Sequence, residues 1–175
     1  MNFKLLHSQP AFQGRAFSVR QDRVQLPNGN ETTLDIVEHA GSVTILPVDA
    51  EGTVWFVRQY RHAAGRTMLE LPAGVLDPDE DFGVCALREL REEIGMGAEN
   101  LQLIGEFYLA AGYSTEFMRV YLATELYAAP LESDPDEFLN VVRIPLAEIR
   151  ARIRAGEIID AKTLAAFYLA EPLLS

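Results

Sequence analysis

The hydrophobic period of this chain changes part-way along, and that change limits what it can fold into. The first part alternates apolar and polar residues with the period of strands. "AFSVRQDRVQL" runs into the turn signal "PNGN", and "ETTLDIVEH" follows with Leu34 and Ile36 in alternation. "SVTILPVD" and "TVWFVRQY" flank "AEG", a second hairpin signal, and "TMLELPAG" is a further strand closed by Pro72 and Gly74. From Glu80 to Ile94 the apolar positions take a helical spacing. Strand patterning then returns. "LQLIGEFYLA" and "EFMRVYLATEL" form a pair around the loop "AGYST", and "EFLNVVRIPL" is one more strand. "LAEIRARIRAG" and "DAKTLAAFYLAEPL" close the chain as helices, the first stopped by Gly156. Many strands, largely in hairpins, with a few helices predict an α+β (mixed α/β) fold.

The chain has 175 residues, 49% of them hydrophobic, enough for one domain with an appended arm. Its net charge of −11 argues against binding a nucleic-acid backbone, which needs a basic face. Small phosphorylated ligands stay open if metal ions supply the positive charge. No stretch approaches the roughly 20 apolar residues of a membrane helix. The start, "MNFKLLHSQPAFQGR", is too polar for the core of a signal peptide. Cys85 is the single cysteine, so no intramolecular disulfide forms. It sits among Val84, Ala86 and Leu87 as a packed helical residue, and a cytoplasmic, reducing setting is expected.

The helical segment carries the chemistry. At about 100° per residue, Leu87, Leu90 and Ile94 form one apolar stripe. Glu89, Glu92 and Glu93 share a sector centred away from it. Such a face is usually a solvated one laced with i,i+4 ion pairs. Glu89 and Glu93, however, are like charges at i,i+4, and Glu92 adds a third charge beside them. Divalent cations bound by carboxylate oxygens would offset that repulsion, and Mg²⁺ or Mn²⁺ suits such ligands. Upstream, "LPAG" ends a strand in a turn whose glycine permits close approach to the helix. Glu80 falls near the helix start, where the dipole favours a carboxylate.

Gly74, Glu80, Arg88, Glu89, Leu90, Glu92, Glu93, Gly95 and Met96 stand in the spacing G-x5-E-x7-R-E-U-x-E-E-x-G-U, where U is a bulky apolar residue. On these residues the chain resembles the Nudix hydrolases. The resemblance implies the Nudix fold, a mixed sheet between helices, over about residues 42–170. It implies cleavage of a nucleoside diphosphate linked to another moiety. By resemblance, the Ala73 carbonyl, Glu89 and Glu93 are metal ligands and Glu92 a further one. Arg88 orients the glutamates, and Arg88, Glu92 and Glu93 count with the catalytic residues.

"VEHAGSVTILPVD", "VRQYRHAAGRTMLELPAG" and "GEIIDAKTLAAF" look like the bacterial ADP-ribose pyrophosphatase group. That likeness implies ADP-ribose as substrate, cleaved to AMP and ribose 5-phosphate, with GDP-mannose or another nucleotide sugar as the alternative. It also implies a homodimer in which residues 1–41 form a β-rich arm beside a hydrolase domain over 42–175. Arg61 matches a diphosphate-contacting arginine, and Arg58 and Glu70 are placed near the substrate. On its strand Glu70 alternates with Leu69 and Leu71, so an outward, exposed position is expected. In the loop "AAGYSTE" the group's Ser-Pro-Gly is replaced by Ala110, Ala111 and Gly112, while Glu116 keeps the position of a general base. Phe117 replaces the basic residue that usually follows. A non-catalytic ligand sensor on the same fold is the rival from another class, and such domains often lose motif glutamates that are all present here. No G-x-S-x-G or P-loop occurs, and His7, His39 and His62 lack metal-site spacing.

Overall fold

The computed structural model describes residues 2–132 and 138–174. Contacts divide the chain into two units. One holds the residues up to Gly41 together with Phe107–Phe117; the other holds Ser42–Glu106 and the residues from Met118 onward.

The smaller unit is an antiparallel sheet of β1 (Lys4–Gln13), β2 (Ser18–Gln25) and β3 (Glu31–Glu38), in that order. The β2–β3 hairpin forms where "PNGN" predicts it. Gly29 takes a φ of 85°, and the Asn28 side chain accepts the Asn30 N–H at 3.0 Å. Cross-strand pairs Arg20–Glu38 and Arg23–Glu31 lace its surface. Strand β1 is not visible in the hydrophobic pattern. All ten of its residues are exposed, and the register slips beside Pro10. An exposed edge strand has no buried face to enforce alternation and tolerates proline. The Tyr113–Thr115 backbone pairs with Val37, which ties the "AGYST" loop to β3.

The larger unit contains two sheets. One has the order β7 (Ala73–Val75), β4 (Ser42–Pro47), β9 (Phe117–Ala128), β8 (Met96–Tyr108). The other has the order β10 (Asn140–Pro145), β5 (Thr53–Arg61), β6 (Arg66–Glu70). Strand β4 runs parallel to β9 and antiparallel to β7, so the first sheet is mixed. Glu137, the first residue of the strand expected at "EFLNVVRIPL", lies outside the described residues. Helices are α1 (Phe82–Ile94), α2 (Leu146–Arg154) and α3 (Ala161–Ala170). No helix among the described residues is long and apolar enough to cross a membrane.

All six residues of β4 are buried, Ser42 and Thr44 among them, because α1 and α3 both pack against the strand. Val43 and Ile45 join Val57 of β5 in a core against Cys85, Ala86, Leu90 and Ile94 of α1. Phe56, one residue from Val57 and so on the opposite face of β5, stacks on Phe167 of α3 at 6.0 Å. The mixed α+β architecture expected from the period changes is therefore present, with helices packed on both faces of β5.

Three expectations need correction. "SVTILPVD" and "TVWFVRQY" turn at "AEG" with an isolated bridge between Val48 and Val54, but β4 and β5 belong to different sheets and do not form a hairpin ladder. "TMLELPAG" is not one strand: Pro72 separates β6 from β7, and the two belong to different sheets. The helix begins at Phe82, not Glu80, because the Asp81 side chain caps it by accepting the Gly83 N–H at 2.8 Å. Glu80 thus stands before the helix, and its carboxylate turns to Arg88.

Candidate active site

Helix α1 ends at Gly95, whose φ of 72° suits the left-handed cap that stops a helix. Its buried face differs from the expected stripe. Leu87 is only partly buried, while Glu89 and Glu93 are buried at 7% and 6% exposure. The two acids sit on the side facing the turn at Ala73 and Gly74. The Ala73 N–H donates to Glu93 Oε2 at 3.0 Å. A Cβ on Gly74 would overlap the Glu89 carboxylate, so only glycine lets that carboxylate lie there. The turn itself is pinned, since the Pro72 carbonyl accepts the Ile45 N–H at 2.9 Å and the Thr44 hydroxyl at 3.2 Å.

Arg88 organises the acids. Its Nη1 donates to Glu89 at 2.6 Å and to Glu92 at 3.0 Å. Nε and Nη2 each donate to Glu80 at 2.9 Å, and Nη2 also reaches the Val75 carbonyl. These charge-assisted bonds hold the Glu80 carboxyl at about 2, well below its ordinary 4.5. The glutamates around Arg88 raise its own pKa further. Cys85, beneath this cluster, is fully buried, and burial pushes its thiol up to about 12. It is a packed residue, as expected.

Among the described residues, no three His, Cys, Asp or Glu side chains are arranged to hold a metal ion. Arg88 instead draws Glu89 and Glu92 toward itself. The donor set nevertheless fits a hard divalent cation. Glu89, Glu92 and Glu93 offer carboxylate oxygens beside a main-chain turn, and Gly74 leaves the space that a side chain would fill.

Glu70 corrects another expectation. It is not exposed but 1% accessible, flanked by the buried Leu69 and Leu71. Partners explain how a carboxylate survives there. Arg61 grips it with Nε to Oε1 at 2.8 Å and Nη2 to Oε2 at 2.7 Å, and Lys162 Nζ donates to the same Oε2. Burial pushes the Glu70 carboxyl up, but the two cations outweigh it and leave it lowered. Sequence reasoning did not single out Lys162. Its signal was a lone cation in the otherwise apolar run "AKTLAAFYLA".

Arg61 and Glu70 are therefore brought together. Arg58, three residues from Arg61 on the same strand, points to the opposite face and is exposed. Glu116 lies in the smaller unit, in the loop tied to β3. Its N–H donates to Ser114 Oγ at 3.1 Å, and its carbonyl accepts the Leu109 N–H.

The NUDIX domain model matches residues 38–167. The chain belongs to the Nudix family. This Nudix chain is 38% identical over 167 residues to the ADP-ribose pyrophosphatase of Mycobacterium tuberculosis, covering 94% of this chain and 81% of that protein. It is 37% identical over 162 residues to the ADP-ribose pyrophosphatase of Bacillus subtilis, covering 91% of this chain and 88% of that one. A crystal structure of an ADP compounds hydrolase matches with a TM-score of 0.90 at 26% identity, over 99% of this chain and 95% of that one. The mixed α+β fold and the hydrolase class implied by the motif stand with these likenesses.

Proposed function

We propose that this Nudix chain is a Mg²⁺-dependent pyrophosphatase that hydrolyses ADP-ribose to AMP and ribose 5-phosphate. The observation that carries the reading is the pair of buried carboxylates, Glu89 and Glu93, set against the Ala73–Gly74 turn with Glu92 beside them. One guanidinium, Arg88, serves Glu80, Glu89 and Glu92 together, and a divalent cation would offset the negative charge that remains. The ADP-ribose pyrophosphatases among its relatives support this substrate.

In this reading Glu89, Glu92, Glu93 and the Ala73 carbonyl hold the metal, and Arg88 orients the glutamates. A divalent cation held by these residues would supply charge screening for the diphosphate oxygens and a lowered pKa for a bound water. Arg61 offers its guanidinium to the diphosphate, with Glu70 fixing it from behind, and Arg58 contacts the substrate elsewhere. Water adds to one phosphorus, the P–O bond to the bridging oxygen breaks, and Glu116 or one of the metal-site carboxylates accepts the proton of the water. The strand residues Leu5, Leu6 and Phe12 are exposed on the arm, which supports a homodimer formed through residues 1–41. The single buried thiol supports a cytoplasmic location.

The test is a hydrolysis panel of ADP-ribose, GDP-mannose and NADH, with and without Mg²⁺. Expected is release of AMP and ribose 5-phosphate from ADP-ribose, dependent on Mg²⁺ and faster than cleavage of the others. A preference for GDP-mannose would reassign the substrate, and no turnover on any member would end the enzymatic reading.

A further inference from the structure

Glu70 is the last residue of β6, and its burial ties together groups far apart in sequence. Arg61 binds it with two N–H donors, and Lys162 takes Oε2 from the side of α3. Lys162 Nζ also lies 3.0 Å from Asp160 Oδ2. Asp160 caps α3 by accepting the Thr163 N–H at 3.0 Å and the Thr163 hydroxyl at 2.6 Å. Thr163 Oγ1 in turn accepts the Leu71 N–H at 3.0 Å. The first turn of α3 is thus fastened to the end of β6 by side chains on both Glu70 and Leu71.

The two cations on Glu70 differ in setting. The Lys162 side chain is 10% accessible and the Arg61 side chain 43%. Lys162 belongs to the interior, while Arg61 borders solvent. Glu70 engages Nε and Nη2 of Arg61, so Nη1 stands outside that pair. The Glu70 hydrogen bonds raise the Arg61 pKa, and the charge of Glu93 adds to this. A lone carboxylate paired with a lone guanidinium cancels most of its field. Lys162 is itself shared with Asp160, so the four side chains balance in charge, and what the second cation adds is a fixed position for the Glu70 carboxylate against which the Arg61 fork is set.

We propose that Lys162 is a positioning residue for Arg61: by sharing Glu70 it fixes the guanidinium fork that meets the diphosphate of the substrate. The proposal rests on the functional reading above. Lys162 touches neither substrate nor metal and acts only through Glu70. Loss of the ammonium therefore weakens substrate capture without disturbing Glu89, Glu92 and Glu93.

The test uses Lys162→Met, Lys162→Arg, Glu70→Gln and the Lys162→Met/Glu70→Gln double variant in the full chain. Three quantities are measured: kcat and KM for ADP-ribose, the Mg²⁺ concentration for half-activation, and calorimetric binding of inorganic pyrophosphate with Mg²⁺. Expected for Lys162→Met is a rise of about tenfold in KM and in the pyrophosphate Kd, with kcat within about threefold and half-activation by Mg²⁺ unchanged. Lys162→Arg should keep near-parental values. The double variant should be no weaker than Glu70→Gln alone, because both changes act through one contact. A folded Lys162→Met variant with parental KM and Kd would overturn the proposal. So would additive effects in the double variant, or a fall in kcat at unchanged KM, which reports only lost folded enzyme. Lys162→Gln carries the same expectation if circular dichroism shows Lys162→Met unfolded. Should the parent cleave no ADP-ribose, the functional reading falls while pyrophosphate binding still decides the role of Lys162. In that case parental affinity in Lys162→Met, or no affinity in the parent, overturns it.

Discussion

Gly74 and Glu89 are packed so closely that no side chain fits between them: a Cβ on Gly74 would lie inside the Glu89 carboxylate. Either Glu89 or β7 must move in Gly74→Ala, and both border the proposed metal site. Activity on the best substrate is expected to fall by roughly 10- to 100-fold, with a higher Mg²⁺ requirement. Kinetics across a Mg²⁺ titration check this. Parental kinetics at every Mg²⁺ concentration would detach Gly74 from the metal site.

Glu93→Gln separates charge from shape. The amide oxygen can still accept the Ala73 N–H, so the turn keeps its bond. A hard cation loses a negatively charged donor. Turnover should drop by about 100-fold or more, beyond the range usual for residues that only support a ligand. A chelator should likewise abolish parental activity, and added Mg²⁺ should restore it. Unchanged turnover in Glu93→Gln, with the thermal transition intact, would remove Glu93 from the ligand set.

What could be read in the residues, and what could not, divides along chain distance. The acid helix, the turn before it and the hairpin at Asn28–Gly29 are local, and spacing alone exposes them. Strand β1 escaped because its residues are all exposed and carry no period. Pro72 hid the break between β6 and β7, since a short run bounded by proline looks the same whichever sheet receives each half. Glu70 looked outward because alternation assumes one wet face. Its actual partner, Lys162, is 92 residues away, and no local pattern announces such a pair. The burial of Glu89 and Glu93 was missed for a similar reason, because the turn that covers them is set by β4 and not by the helix.

The Glu80–Arg88 pair predicts how the fold responds to acid. The Glu80 carboxyl is depressed to about 2 from an ordinary 4.5, chiefly by its hydrogen bonds from Arg88. A depressed carboxyl contributes stability that is fully present above about pH 4.5 and is lost as pH falls toward 2. Glu80→Gln should cost about 1–2 kcal/mol at pH 7, roughly 2–8 °C in Tm. Its Tm should also fall less steeply than the parent's between pH 4.5 and 2, so that the two curves converge. Parallel curves over that range would show that Glu80 titrates at its ordinary value.

Cys85 supplies a test of the helix packing that does not depend on activity. Its thiol is fully buried against β4 and β5, donates weakly toward the Val75 carbonyl at 3.7 Å, and is raised to about 12 by desolvation. The thiolate is the reactive form, so at pH 8 the folded chain presents almost none. An aromatic disulfide reagent should therefore react with Cys85 only as fast as α1 detaches, and promptly in denaturant. A sulfur titrated within seconds in the native chain would mean that α1 opens readily. The Glu89–Glu93 cluster would then not be held against the Ala73–Gly74 turn as the proposed metal site requires.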